Sequence, residues 1–183
     1  MSPGSGMSAN DVPILEHPLI DDVLARHRDA LGPDERTYRN HVYRCANYQR
    51  TLLDDDLPDS AVLAWAVHDL GIWTARTFDY LGPSAALGDE LAAEFAIGEP
   101  ELARTMVCDH HGLRARTDPV VETFRLADRV DVSHGLLRSG LDADFVARVV
   151  ERFPYHGFHA FLVRAGLRHA LTHPTRPLPM FRW

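Results

Sequence analysis

Apolar positions recur every three to four residues along most of the chain, the period of helices that bury one face. Residues 18–31 place Leu19, Val23, Leu24 and Leu31 at that interval and stop at Gly32-Pro33. Residues 34–54 sustain it through Tyr38, Val42, Cys45, Ala46, Gln49, Leu52 and Leu53, until three aspartates and Pro58 end the run. From Ala61 to Val67 every residue is apolar, which predicts a helix buried at the centre of a bundle, capped by Asp59 or Ser60. His68-Asp69-Leu70-Gly71 close that helix, with Gly71 placed as a stop residue that takes positive φ without strain. After a loop from Trp73 to Gly82, further helices are predicted over 83–97, 100–110, 119–138, 142–153 and 157–172. Residues 174–183 hold three prolines and are predicted to lie over the surface, docked through Leu178, Phe181 and Trp183. No alternating strand pattern of convincing length and no internal repeat occurs. The expected architecture is all-α: a flexible N-terminal tail over 1–12, a single-domain helical bundle of about seven helices over 13–173, and an extended tail over 174–183.

Composition narrows the function. At 183 residues, 45% hydrophobic and 25% charged, the chain reads as one soluble globular domain. No run approaches the roughly 18 apolar residues of a membrane span. The Ser/Gly/Pro-rich start lacks the charged and apolar regions of a signal peptide, and Met7 is an alternative start. Cys45 and Cys108 fit neither a disulfide framework nor a paired-cysteine metal pattern, so a cytoplasmic location is expected. The net charge of −7 has the wrong sign for a nucleic-acid binder. All 19 basic residues are arginine, and the absence of lysine removes P-loop, Schiff-base and Ser–Lys chemistry together. Residues 1–100 hold seven arginines and 17 acids, whereas residues 101–183 hold 12 arginines and nine acids. The second part therefore has arginines to offer an anionic small-molecule substrate.

Histidine is the over-used residue, at 11 of 183. Four polar positions stand where the helical pattern is inward: His41 between Tyr38 and Cys45, the pair His68-Asp69 ending the all-apolar helix, and Asp128 four residues after Phe124. An ionisable group on an inward face is costly unless it is paired or bound to a metal. Two imidazoles and two carboxylates brought together from three helices suit a divalent ion. Singly, each has a bland reading as a hydrogen-bonded rim histidine or a surface aspartate.

The joint pattern resembles the HD-domain superfamily of metal-dependent hydrolases, whose signature is H…HD…D. "NHVYRCA" is similar to the first-histidine segment, "AVLAWAVHDLG" to the segment around the HD pair and "RLADRVD" to the closing segment, over about residues 30–140. The resemblance implies that His41, His68, Asp69 and Asp128 hold one divalent ion, with Mn, Fe, Co, Ni and Zn not distinguished. Asp131 competes for the last place, and the family pattern selects Asp128. Two-metal members carry two further histidines between HD and the last Asp. Here that interval holds only the adjacent His110 and His111, so a complete second metal site is not expected. His110 or His111 is instead a candidate substrate contact or acid–base group, against an equal structural reading.

Arg44, one turn from His41, faces either the metal pocket or the surface. Arg114 and Arg116 follow the double histidine and are candidates to close over a substrate. Trp73, Phe78 and Tyr80 are core residues by default and pocket walls by the alternative. The family's familiar small members make hydrolysis of a phosphate ester or nucleotide the first expectation, with Asp69 orienting the attacking water and Arg44, His110 or His111 offsetting charge. "HDLGIWTARTFDYLGPSAA" also resembles cyanamide-hydratase-like members, which implies metal-dependent hydration of a small nitrile as the runner-up. A non-enzymatic sensor or interaction module is the third reading.

Overall fold

The 3–4 spacing is realised as helices, and no strand occurs among the described residues. The computed structural model describes residues 17–175 and 179–180. In chain order the helices are α1 (Pro18–Arg26), α2 (Arg28–Leu31), α3 (Glu35–Leu53), α4 (Asp59–Val67), α5 (Gly71–Thr74), α6 (Leu81–Glu94), α7 (Pro100–Asp109), α8 (Pro119–Val132), α9 (Ala143–Arg152) and α10 (Phe158–Thr172). A 3-10 turn over Gly32–Asp34 joins α2 to α3. No helix among the described residues is long and apolar enough to cross a membrane.

The all-apolar α4 is the centre of the bundle. Ser60 to Val67 are all buried, and α1, α3, α6 and α7 pack around them. A helix with no polar stripe has no other stable place in water. The long α3 packs along α8. Trp65 from α4 stacks on Phe124 from α8 with ring centroids 3.6 Å apart. The Trp65 indole donates to Gln49 Oε1 at 2.6 Å, and the Gln49 amide donates to the Val120 carbonyl at 3.0 Å. A buried polar chain so satisfied ties α3, α4 and α8 in one register.

Several boundaries differ from expectation for local reasons. The helix predicted over 18–31 breaks at His27, whose Nδ1 lies 2.8 Å from the Val23 carbonyl and diverts that acceptor from the helical ladder. α4 begins at Asp59 with Pro58 as its N-cap and no side-chain cap, because the Pro58 carbonyl itself receives Ala61 and Val62 N–H. Gly71 does not take positive φ and does not stop a helix; it starts α5. Its need for glycine is steric, since a Cβ there would sit 2.7 Å from the Tyr80 carbonyl oxygen and 2.8 Å from Ser84 Oγ. α8 ends at Val132, six residues early, where His134 and Gly135 turn to positive φ and Gly135 N–H returns to the Val130 carbonyl. The predicted docking of Leu178, Phe181 and Trp183, and the tail over 1–12, lie outside the described residues.

Candidate metal centre

Four helices deliver ionisable side chains to one buried place. α3 contributes His41 from its inward face, the C-terminal end of α4 contributes His68 and Asp69, the end of α7 contributes His110 and His111, and α8 contributes Asp128. His41 and His68 are fully buried, and Asp69, His110 and Asp128 nearly so.

The tautomers follow from the partners. His41 Nδ1 lies 2.7 Å from Asp131 Oδ2, His68 Nδ1 lies 2.9 Å from the Trp65 carbonyl, and His110 Nδ1 lies 2.8 Å from the Val107 carbonyl. Each partner is an acceptor, so each Nδ1 carries the proton and donates. In the neutral ring each Nε2 is then left with its lone pair directed into the cluster, the state in which imidazole binds metals; at His110 burial opposes protonation, but Asp69 and Asp128 outweigh it and raise the ring above its ordinary value. His41 Nε2 and His68 Nε2 stand 2.9 Å apart. Two lone pairs that close repel unless a proton or cation lies between them.

Asp69 stands between two histidine pairs. Its Oδ2 is 3.5 Å from His68 Nε2 and 3.7 Å from His41 Nε2, while its Oδ1 is 3.5 Å from His110 Nε2. Asp69 Oδ1 and His110 Nε2 are buried and have no hydrogen-bond partner. Asp128 Oδ1 is 3.7 Å from His41 Nε2, and its Oδ2 is 3.7 Å from His111 Nδ1. These spacings are too long for hydrogen bonds and suit groups arranged around a shared ion. Three sets meet the geometry for holding one: His41, His68 and Asp69; Asp69, His110 and His111; and His41, Cys45 and Asp128. Asp69 belongs to two of them and His41 to two.

Electrostatics follows from burial and crowding. Burial drives His68 down to about 3, and the imidazoles of His41 and His110 push the same way. Burial lifts Asp128 to about 6, with Asp69 and Asp131 adding to the rise and His110 and His41 opposing it. For Asp69 burial works upward, but His68, His110 and His41 hold the carboxyl well below its ordinary range. A divalent cation would relieve the close approach of His41 and His68 and the raised Asp128 carboxyl.

Behind the cluster lies a pair that sequence reasoning did not assemble. Arg44 is neither at the surface nor turned to the open side of the pocket, as the two expectations for it had it. It is fully buried on the Nδ1 side of His41, donating to both oxygens of Asp131 at 2.6 and 2.8 Å and to the Phe153 carbonyl at 2.8 Å. Its guanidinium also covers the Tyr155 ring at 4.2 Å. An arginine so occupied has no face left for an anion. Asp131, a rival ligand by sequence, instead orients His41 from behind, as carboxylates commonly do for metal-bound histidines. The signal was its place three residues after Asp128 on the same helix face, read there as competition.

Tyr80 was also undervalued. Its hydroxyl is 2.6 Å from His111 Nε2, and burial keeps it well above its ordinary range, so it stays a neutral phenol. Tyr80 and Phe78 border a cavity of about 490 Å³ that reaches Asp69, His111 and Asp128. Trp73 instead borders a separate cavity of about 530 Å³ that touches none of the cluster residues. Arg114 is exposed, and Arg116 pairs with Asp109 at 3.2 Å. Neither is among the residues that line the cavity at the cluster. Cys45 is buried 3.6 Å from His41 Nδ1, with burial holding its thiol well above the ordinary value and hence protonated. Comparison with models of protein families, with curated proteins and with solved structures gives no significant match.

Proposed function

We propose that this chain is a metal-dependent hydrolase of the HD type that cleaves a small phosphate ester. The observation that supports it most is the buried convergence of histidine Nε2 lone pairs with Asp69 and Asp128, in which Asp69 Oδ1 and His110 Nε2 lack protein partners. His41, His68, Asp69 and Asp128 are the residues to hold one divalent ion. Such an ion supplies a water of lowered pKa and polarises a phosphoryl oxygen. In the hydrolysis, a water oxygen would bond to phosphorus as the bond from phosphorus to the ester oxygen breaks, and the proton lost by the water would pass through His110 to the departing alkoxide.

The chain's own groups have distinct parts in this reading. Asp69 accepts a hydrogen bond from the attacking water and aims it. His110, with Nδ1 fixed on Val107, exchanges protons only at Nε2, which stands 3.5 Å from Asp69 Oδ1, and is the acid–base group. His111, held by Tyr80, presents its other nitrogen toward Asp128. Arg44 and Asp131 position His41 and touch no substrate.

A second reading rests on Asp69 being shared: Asp69, His110 and His111 could hold a second ion, with Asp69 between the two. Metal content separates the readings, since one ion per chain supports the acid–base role for His110 and two would replace it. Protein stripped with chelator and reloaded with Mn, Fe, Co, Ni or Zn is to be screened against phosphate monoesters, nucleotides and cyanamide. Phosphate release that depends on metal and disappears in His68→Ala supports the proposal. Turnover of cyanamide without phosphate release from any ester would overturn it in favour of a hydratase. Tight metal binding with no turnover of any kind would favour a sensor.

A further inference from the structure

The cavity beside the cluster has walls that a nucleotide would not need. Its inner end is formed by Asp69, His111 and Asp128, and its sides include Val132 from α8, Leu162 and Leu167 from α10, and Met180. Among the described residues no arginine lines it, and the one hydroxyl on its wall, that of Tyr80, is already engaged by His111. A nucleobase or sugar placed there would leave donors and acceptors facing hydrocarbon, at a cost of roughly 1–3 kcal/mol for each. Around its mouth Val132, Val163 and Leu167 are 41%, 60% and 62% exposed. Apolar area of that kind, contiguous with a buried set of ionisable groups, marks a binding surface rather than ordinary protein exterior.

We propose that this cavity selects a phosphate monoester whose alcohol part is apolar, an alkyl or aryl group, with the phosphate set against the Asp69–His111–Asp128 end and the hydrocarbon along α8 and α10. The assignment rests on the hydrolase reading above for the identity of the head group. The walls alone carry the preference for an apolar body. An open cavity of about 490 Å³ is large for cyanamide and suits a hydrocarbon chain or ring of several carbons. Among the described residues of the arginine-enriched second part, none brings a guanidinium group to this cavity, so the ester's charge is balanced at the cluster.

Calorimetric titration with methylphosphonate, hexylphosphonate and AMP tests this, because a phosphonate keeps the anionic head and is not hydrolysed. Each protein is to be titrated both metal-loaded and chelator-treated. Hexylphosphonate is expected to bind roughly a hundredfold tighter than methylphosphonate, since each buried methylene contributes up to about fourfold. It should also bind tighter than AMP, with a negative heat-capacity change. Leu167→Asp, at a position exposed enough to tolerate the charge in folding, should erase most of the gain. The ratio between the two phosphonates should persist after chelation, when the affinity for the head group falls. AMP binding as tightly as hexylphosphonate, or no dependence on chain length, would overturn the proposal. So would a concentration-dependent dimer that Leu167→Asp dissociates without any preference for hexylphosphonate, which would assign the apolar face to a second copy of the chain. If the chain-length gain is present and no ester is hydrolysed with any metal, the apolar preference stands and the hydrolase reading falls. Ester hydrolysis with no chain-length gain gives the reverse.

Discussion

His41 uses its two nitrogens for two tasks: Nε2 faces the cluster, and Nδ1 donates to an aspartate that is itself gripped by Arg44. Asp131→Asn keeps the shape but weakens the acceptor that fixes the tautomer. Metal affinity should fall about tenfold to a hundredfold, measured by competition with a chromogenic chelator, and stability should fall as well, since Arg44 stays charged and buried beside a neutral partner. Arg44→Met goes further, since it leaves Asp131 charged, buried and unpaired; a loss of about 3–5 kcal/mol in urea unfolding is expected. The same pair sets an acid limit. Burial pushes the Asp131 carboxyl upward, but Arg44 and then His41 outweigh it and bring it down to about 2, against an ordinary value of 3.8. A depressed carboxyl contributes fully above its unfolded value, so the metal-free protein should lose this stabilisation as pH falls from about 4 through 2. Circular dichroism of acid unfolding should show a steeper loss for the wild type than for Arg44→Met.

At the scale of elements, Gly71 shows how the end of α4 is built. The chain passes so near Tyr80 that a single methyl group meets a backbone oxygen at 2.7 Å. Gly71→Ala should destabilise by about 1–3 kcal/mol through overpacking and loosen Asp69 two residues earlier, read as a lower Tm and weaker metal binding. Helix identity was legible because apolar period and breakers agree, as in α3, α4 and α9. The His27 break and the early end of α8 were not, because periodicity runs on through both and the deciding events are one side-chain contact and two residues at positive φ. The cluster was partly legible for a related reason. His41, His68, Asp69 and Asp128 are polar letters on apolar faces, whereas in sequence Arg44 stands open between pocket and surface and Asp131 reads as a rival ligand, and only packing of α3 along α8 joins the two. Of the apolar cavity, only Phe78 and Tyr80 were legible, as alternative pocket walls. Its other apolar walls come from α8, α10 and Met180, and nothing local marks those faces as meeting at the cluster.

For the whole molecule, the helical bundle is a means of burying a charged cluster that is costly on its own. Helices α3, α4, α7 and α8 hold it at close range, and the burial that disfavours charge at His68 and Asp128 is energy that a bound ion would recover. An ion that binds only the folded chain should raise Tm, by an amount that grows with free metal over its Kd: about 2.7 kcal/mol of added stability is expected at a hundredfold excess over Kd. Asp69 is the one carboxylate shared by two of the ligand sets, so its removal is the sharpest probe. The decisive measurement is the metal content of purified, chelator-stripped and reloaded protein, determined by elemental analysis for the wild type and for Asp69→Ala. At least one divalent ion per wild-type chain is predicted, with loss of that ion in Asp69→Ala while the helical content is kept. A wild-type chain that holds no metal, or an Asp69→Ala chain that holds as much as the wild type, would contradict the account.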